Sequence, residues 1–220
     1  MRGCVIIPAY NEEMTIGPVV REIKAKGLDC VVIDDGSSDR TKEVAEHEGA
    51  YVISHPTNYG KGASLNDGFR YSLNRNYDYV ITMDGDGQHN PDEIDNFLKA
   101  AEEDDIRIIL GNRMWNPKDM PLIRRLTNRF MSLLISSVVH QKLPDSQCGF
   151  RLIKSEVLKV IACTTTKYEI ESEVIIRAAR TGFEIKSIPI KSIYKGEKSQ
   201  IRPVVDTLRF IAFILKTGLK

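Results

Sequence analysis

Five short apolar runs divide the first half of the chain, and a helical pattern follows most of them. Cys4-Val5-Ile6-Ile7 stops at Pro8, Cys30-Val31-Val32-Ile33 stops at Asp34-Asp35-Gly36-Ser37, and Tyr79-Val80-Ile81-Thr82-Met83 stops at Asp84-Gly85-Asp86; Tyr51-Val52-Ile53 and residues 106–110 are the other two. The stretches 15–26, 40–48, 62–74 and 91–103 read as helices, two of them closed by Gly27 and Gly49. Strands that are apolar along their whole length need cover on both faces. Alternating with helices, they predict an α/β fold with a Rossmann-like, mostly parallel central sheet flanked by helices. Ligands of such sheets sit outside the carboxyl ends of the strands, so the polar clusters after the first, second and fourth runs should meet on one rim.

Composition narrows the class. The 220 residues carry 31 Lys+Arg and 30 Asp+Glu with 42% hydrophobic residues, which excludes a disordered chain. Apolar runs such as 210–215 fall far short of the ~20 residues of a spanning helix. The N-terminal residues lack a secretory leader pattern. Cys4, Cys30, Cys148 and Cys163 form no Cys-x-x-Cys pair, so reduced thiols in a cytoplasmic setting are expected. The near-zero net charge hides polarity: residues 1–112 hold 11 basic and 21 acidic side chains, residues 113–154 hold 8 and 2, and residues 191–220 hold 7 and 2. An acidic first half suits a bound cation, and basic later segments suit phosphates or an anionic membrane surface. Without a basic stripe interleaved with stacking aromatics, no nucleic-acid partner is expected.

Asp84 and Asp86 flank a glycine just past an apolar strand, with Gln88 next in line. Such oxygen donors suit Mg2+ or Mn2+ with positions left open for a diphosphate. Asn58-Tyr59-Gly60-Lys61-Gly62-Ala63-Ser64 opens a helix but fails the P-loop pattern, because Gly62 stands where Ser or Thr is required. Lys61 is expected to approach a phosphate or to pair with Asp34 or Asp35.

Taken in order, Ile6-Ile7-Pro8-Ala9-Tyr10-Asn11-Glu12, Asp34-Asp35-Gly36-Ser37-Ser38-Asp39, Asn58-Tyr59-Gly60-Lys61-Gly62 and Asp84-Gly85-Asp86-Gly87-Gln88-His89 resemble family 2 inverting glycosyltransferases of the GT-A fold, especially the dolichyl- and polyprenyl-phosphate mannose or glucose synthases. The likeness continues through Gly111-Asn112-Arg113, Asp145 to Arg151 and Tyr168-Glu169-Ile170-Glu171. It implies a metal-dependent transfer of a hexose from a nucleotide sugar to a polyprenyl phosphate. By the same resemblance, residues 1–112 hold donor and metal, residues 113–202 hold the acceptor, and residues 203–220 form an amphipathic helix. Pro8, Tyr10, Glu12, Ile33 and Asp35 would then hold the donor's base and ribose, with Lys61, Asp84 and Lys198 at the diphosphate. Asp84, Asp86 and Gln88 would hold the metal, and Asp86, Asp145 and Glu171 would be catalytic.

Arg113, Arg129 and Arg151 are candidate ligands of the acceptor phosphate, since guanidinium forks match phosphate oxygens; Arg151 could equally pair with Asp145. An ionised phosphate acceptor needs no general base, whereas a hydroxyl acceptor would need a carboxylate such as Asp145, Glu169 or Glu171. Residues 121–140 and 203–216 mix arginines and lysines with apolar side chains, as helices lying on a bilayer do. Peripheral attachment to the cytosolic membrane face, directly or through a membrane partner, is therefore expected. The sequence departs from the synthases at Ile193, where many carry arginine; Lys195 or Lys198 would substitute. Two other readings stay open: a saccharide hydroxyl as acceptor, and a non-catalytic nucleotide-sugar-binding subunit. Oligomeric state is not legible.

Overall fold

In the computed structural model, residues 1–103, 106–118, 120–193 and 210–214 are described. Seven strands form one sheet: β1 (Gly3–Ala9), β2 (Asp29–Asp34), β3 (Tyr51–Ser54), β4 (Tyr79–Thr82), β5 (Ile108–Asn112), β6 (Arg151–Lys154) and β7 (Ile185–Pro189), in the order β3-β2-β1-β4-β6-β5-β7. All pairings are parallel except those of β6, which runs antiparallel between β4 and β5. The helices are α1 (Ile16–Ala25), α2 (Thr41–His47), α3 (Lys61–Asn74), α4 (Ile94–Glu103), α5 (Leu122–Val139), α6 (Ser155–Val160) and α7 (Ile170–Arg180). The expected α/β architecture holds, and the five anticipated strands lie where the apolar runs are.

The strand residues alternate between two cores. Cys4, Ile6, Val31, Ile33 and Val80 pack on one face with Leu65 and Phe69 of α3 and Ile170, Val174 and Ile175 of α7. Val5, Ile7, Val32 and Ile81 pack on the other with Ile16, Val20 and Ile23 of α1 and Ile94 and Phe97 of α4. Both faces are covered, which is why β1, β2 and β4 contain no polar alternation. β6 and β7 come from the second half of the chain, so the two halves expected from the sequence share one sheet.

β6 matters most for the site. Its antiparallel register sets Arg151 opposite Thr82 and Leu110, at the carboxyl ends of β4 and β5. Its entry loop is fastened there by the Thr82 hydroxyl, which donates to the Gly149 carbonyl at 2.7 Å. Among the described residues no helix is long and apolar enough to cross a membrane. Of the expected C-terminal helix, residues 210–214 are helical, and Phe210 is buried against the first core rather than turned outward.

Candidate active site

The carboxyl ends of β1, β2 and β4 converge as expected, and the Gly60-Lys61-Gly62 segment joins them. Asp35, just past β2, is 3% exposed, and its carboxylate accepts from the Tyr59 and Gly60 backbone N–H groups at 2.9 and 2.7 Å. His55 contacts the same carboxylate at 2.7 Å and Asp67 of α3 at 2.8 Å through its other nitrogen. Asp35 therefore shapes the loop that delivers the next residue. Lys61 extends its ammonium between two carboxylates, donating to Asp84 Oδ1 and to Glu171 Oε1, each at 2.5 Å. Burial alone would lower the Lys61 pKa, yet the two anions override it and hold the ammonium well above its ordinary value. Asp84 shows the converse: burial would raise it, but Lys61 holds it well below the usual carboxylate range. Expected partners Asp34 and Asp35 are thus replaced by Asp84 and by a glutamate 110 positions away.

The N-terminus of α3 is not open to a phosphate. The Thr166 carbonyl accepts from the Gly62 and Ala63 N–H groups at 3.0 and 3.3 Å. A Cβ on Gly62 would lie 2.6 Å from the Thr165 oxygen, so glycine here admits the backbone of the α6–α7 loop.

The Asp-Gly-Asp turn lies beside this cluster. Asp86 accepts from the Gln88 N–H at 3.0 Å, and the Gln88 amide oxygen accepts from Arg124 at 3.4 Å. Glu12 reaches the turn through the Thr15 hydroxyl, which lies 3.0 Å from Glu12 Oε2 and 2.8 Å from the Gly85 carbonyl. A Cβ on Gly149 would come within 2.7 Å of both Asp84 oxygens, so glycine there lets the β6 entry loop close over the carboxylate. Two carboxylates and one amide are oxygen-only donors and fit a hard divalent cation. No group of three or more His, Cys, Asp or Glu side chains suited to a metal occurs among the described residues, so such a cation would draw further oxygens from its ligand or from water.

His89 buttresses the turn from below. Its Nδ1 accepts from the Asp84 N–H at 3.3 Å, its Nε2 faces Cys148 Sγ at 4.0 Å, and its ring packs on Phe150. Burial lowers the imidazole to about 4, against the pull of Asp84 in the other direction. The unfolded chain binds this proton near pH 6.5, so it holds more protons than the fold between pH 6.5 and 4. Stability should accordingly fall as pH drops through that window, by roughly 3 kcal/mol. His89→Asn retains an acceptor for the Asp84 N–H and lacks the titration. Denaturant unfolding at pH 7.5 and 4.5 should show a smaller acid loss in the variant; an equal loss would contradict the assignment.

Three expectations change at the β5 and β6 ends. Asp145 is fully buried and binds Arg113 bidentately, at 2.8 Å to Nε and 3.0 Å to Nη2, and also accepts from the Arg113 N–H at 3.0 Å. Burial would raise the Asp145 pKa, but Arg113 keeps it low. Asp145 is therefore the anchor of Arg113 and not an accessible base. Arg113, 6% exposed, is correspondingly held in place rather than offered as an exposed phosphate fork. Arg151 donates to the carbonyls of Cys148, Ser146 and Glu171 at 2.7, 2.9 and 2.5 Å, so it pins backbone instead of meeting an acceptor phosphate. Ile33 has its side chain in the core, leaving only its backbone, paired with Pro8, near the rim. Pro8 borders the small space behind Lys61, and Tyr10 is half-buried beyond β1. Lys195 and Lys198 lie outside the described residues.

Arg129 projects elsewhere, into a groove of about 770 Å³ along α5 shared with Met114, Arg125, Leu126, Leu133 and Lys142. Arg124, one turn earlier, is the arginine that reaches the Asp-Gly-Asp turn. Its only sequence signal is its place in the first turn after Pro121, within a basic cluster.

The chain is 36% identical over 196 residues to an uncharacterized protein of Methanocaldococcus jannaschii, covering 86% of this chain and 81% of that one. It is 32% identical over 213 residues to UDP-N-acetylglucosamine--dolichyl-phosphate N-acetylglucosaminyltransferase of Methanococcus voltae (86% and 85% covered). It is 30% identical over 206 residues to undecaprenyl-phosphate mannosyltransferase of Micrococcus luteus (86% and 83% covered). The crystal structure of glucosyl-3-phosphoglycerate synthase from Mycobacterium tuberculosis with Mn2+, uridine diphosphate and phosphoglyceric acid superposes with a TM-score of 0.74 over 99% of this chain and 78% of that one; at 20% identity it shows a shared GT-A-type fold. Residues 4–162 match the model of glycosyl transferase family 2, and the chain belongs to that family.

Proposed function

We propose that this glycosyltransferase moves a hexose from a nucleoside diphosphate sugar to a polyprenyl phosphate, with inversion at the anomeric carbon. The carrying observation is the part-buried ammonium of Lys61, set between Asp84 and Glu171 beside the Asp-Gly-Asp turn. A fixed cation at a strand-end rim suits the negative charge that grows on a departing diphosphate. Asp84, Asp86 and Gln88 would hold Mg2+ or Mn2+, which when bound neutralises part of that charge. Pro8, Tyr10, Glu12, Asp35 and the Ile33 backbone would frame base and ribose, and Lys198 would reach the diphosphate.

Two of the carboxylates considered as bases are engaged by cations: Asp145 by Arg113 and Glu171 by Lys61. A phosphate nucleophile is already ionised and asks for no proton acceptor, so this pairing favours a phosphate over a sugar hydroxyl. The relatives named for dolichyl- and undecaprenyl-phosphate transfer support the same choice. Arg124, which reaches the Asp-Gly-Asp turn, would meet the acceptor phosphate. Radiolabelled UDP- and GDP-sugars offered with polyprenyl phosphate or with an oligosaccharide test the reading. Label should enter the lipid fraction; label in the oligosaccharide alone, or in neither, would overturn it.

Access to a lipid acceptor would come from α5. Its inward face buries Asn128, Met131, Ser132 and Ile135, whereas Leu122, Ile123, Leu126, Phe130 and Leu133 are exposed by 49–72%; Trp115, before α5 in the chain, is exposed by 72%. With Arg125 and Arg129 alongside, that face would rest on an anionic bilayer. Trp115 is the single tryptophan, so its emission should shift to the blue on vesicles containing phosphatidylglycerol. Leu126→Glu combined with Phe130→Glu should weaken that binding at least about tenfold. Unaltered binding would remove α5 from the interface.

A further inference from the structure

Glu173 is two residues beyond Glu171 in the first turn of α7, and it is 1% exposed. Its carboxylate accepts from the Thr164 and Thr165 N–H groups at 3.0 and 2.8 Å, from their hydroxyls at 3.1 and 2.7 Å, and from Arg177 at 2.8 Å. Burial would raise its pKa, but these donors hold it low. Every neighbouring polar group named here donates, so the position suits a carboxylate and not an amide.

The loop fixed in this way is the one that docks on the start of α3. Thr166 O accepts from Gly62 and Ala63, and the Thr165 carbonyl accepts from Asn66 Nδ2 at 3.4 Å. A Cβ on Gly60 would come within 2.5 Å of Thr166 O, so the contact leaves no slack on either side of Lys61. One turn of α7 thus bears on Lys61 twice, directly through Glu171 and through the threonine loop by way of Glu173.

We infer that Glu173 is a positioning residue for Lys61: it aims the ammonium at the Asp84–Glu171 gap through the Thr164-Thr165-Thr166 loop, while touching no part of the donor or acceptor. The inference rests on the reading of Lys61 as the cation that faces the departing diphosphate. Misplacing such a group by about 1 Å costs on the order of 100-fold in turnover. Because Lys61 acts on charge that develops during transfer, the loss should fall on kcat and spare KM for the donor.

Three variants in the full chain test this. Glu173→Gln turns one acceptor into a donor facing donors, Thr165→Val removes one hydroxyl, and Thr165→Ser keeps it. Expected are a fall in kcat of about 10–100-fold for Glu173→Gln and several-fold for Thr165→Val, donor KM within about twofold, and near wild-type turnover for Thr165→Ser. If Glu173→Gln does not fold, the Thr165 pair decides. A second readout needs no activity: a part-buried, doubly paired ammonium exchanges its protons slowly and gives a resolved lysine NH3+ signal by NMR. That signal should be present in the wild type, absent in Lys61→Met, and broadened or shifted in Glu173→Gln and Thr165→Val. If both variants only lower Tm while kcat and the ammonium signal stay unchanged, the inference is overturned. If the signal responds as expected but even the wild type transfers no sugar, positioning stands and the transfer reading falls.

Discussion

Lys61→Met is expected to abolish most sugar transfer, by about 10²–10³-fold in kcat, and to destabilise the fold by about 3–5 kcal/mol at neutral pH. The two effects share one cause. The ammonium is 2.5 Å from both Asp84 and Glu171, whose side chains are 27% and 8% exposed. Methionine fills the volume but leaves two carboxylates facing each other in a part-buried site. One of them must then take up a proton at a raised pKa. The sign of the pH dependence follows. A carboxylate whose folded pKa exceeds its unfolded value contributes stability that is lost as pH rises through the folded pKa. The deficit of Lys61→Met should therefore shrink between pH 7.5 and 5.5, in the window where His89 makes the wild type less stable on acidification. Denaturant unfolding of both proteins at the two pH values checks this, and a deficit that is constant or grows on acidification would show that the carboxylates are not coupled through Lys61.

The second large effect concerns Arg113 and Asp145. Asp145→Asn removes the charge opposite a guanidinium that is 6% exposed, and the cost should be about 3–5 kcal/mol, most of it from depriving a buried cation of its bidentate carboxylate. Arg113→Met with Asp145→Leu discards both charges and should recover much of that stability. The combination separates anchoring from chemistry. If Asp145 served as a base, transfer to polyprenyl phosphate would drop in Asp145→Asn by far more than its loss of folded protein. As an anchor, its effect should match that of Arg113→Met in both Tm and turnover. Thermal unfolding together with the lipid-labelling assay on the same preparations makes the distinction.

The legible parts of this protein were those set by local pattern. β1 to β5 are continuous apolar runs ended by turn residues, and their order dictated the doubly covered sheet and the rim where the acidic loops meet. β6 escaped because Arg151-Leu152-Ile153-Lys154 is four residues long, begins and ends in charge, and follows a loop that itself looks like a ligand motif. β7 reads Ile185-Lys186-Ser187-Ile188-Pro189, an alternation ending in proline that a loop could equally carry. At the site, Asp84, Asp86, Gln88 and Lys61 were identifiable by type and spacing. Their partners were not. Glu171 meets Lys61 only because α7 packs on the face of the sheet that also carries α3. Thr166 caps α3 from over a hundred residues away. The arginines mislead for a related reason: a guanidinium that binds three backbone carbonyls, as Arg151 does, has the same sequence signature as one presented to a phosphate.

The central claim is that the rim formed by β1, β2 and β4 grips a nucleoside diphosphate together with a divalent cation, and calorimetric titration tests it most directly. UDP and GDP are titrated into wild type and Asp86→Ala, each with Mn2+ and with chelator. Expected is saturable binding of one of the two nucleotides by the wild type, at least about tenfold tighter with Mn2+, a gain of ~1.4 kcal/mol that disappears in the variant. Binding of equal strength with and without the metal, or undiminished in Asp86→Ala, would contradict it.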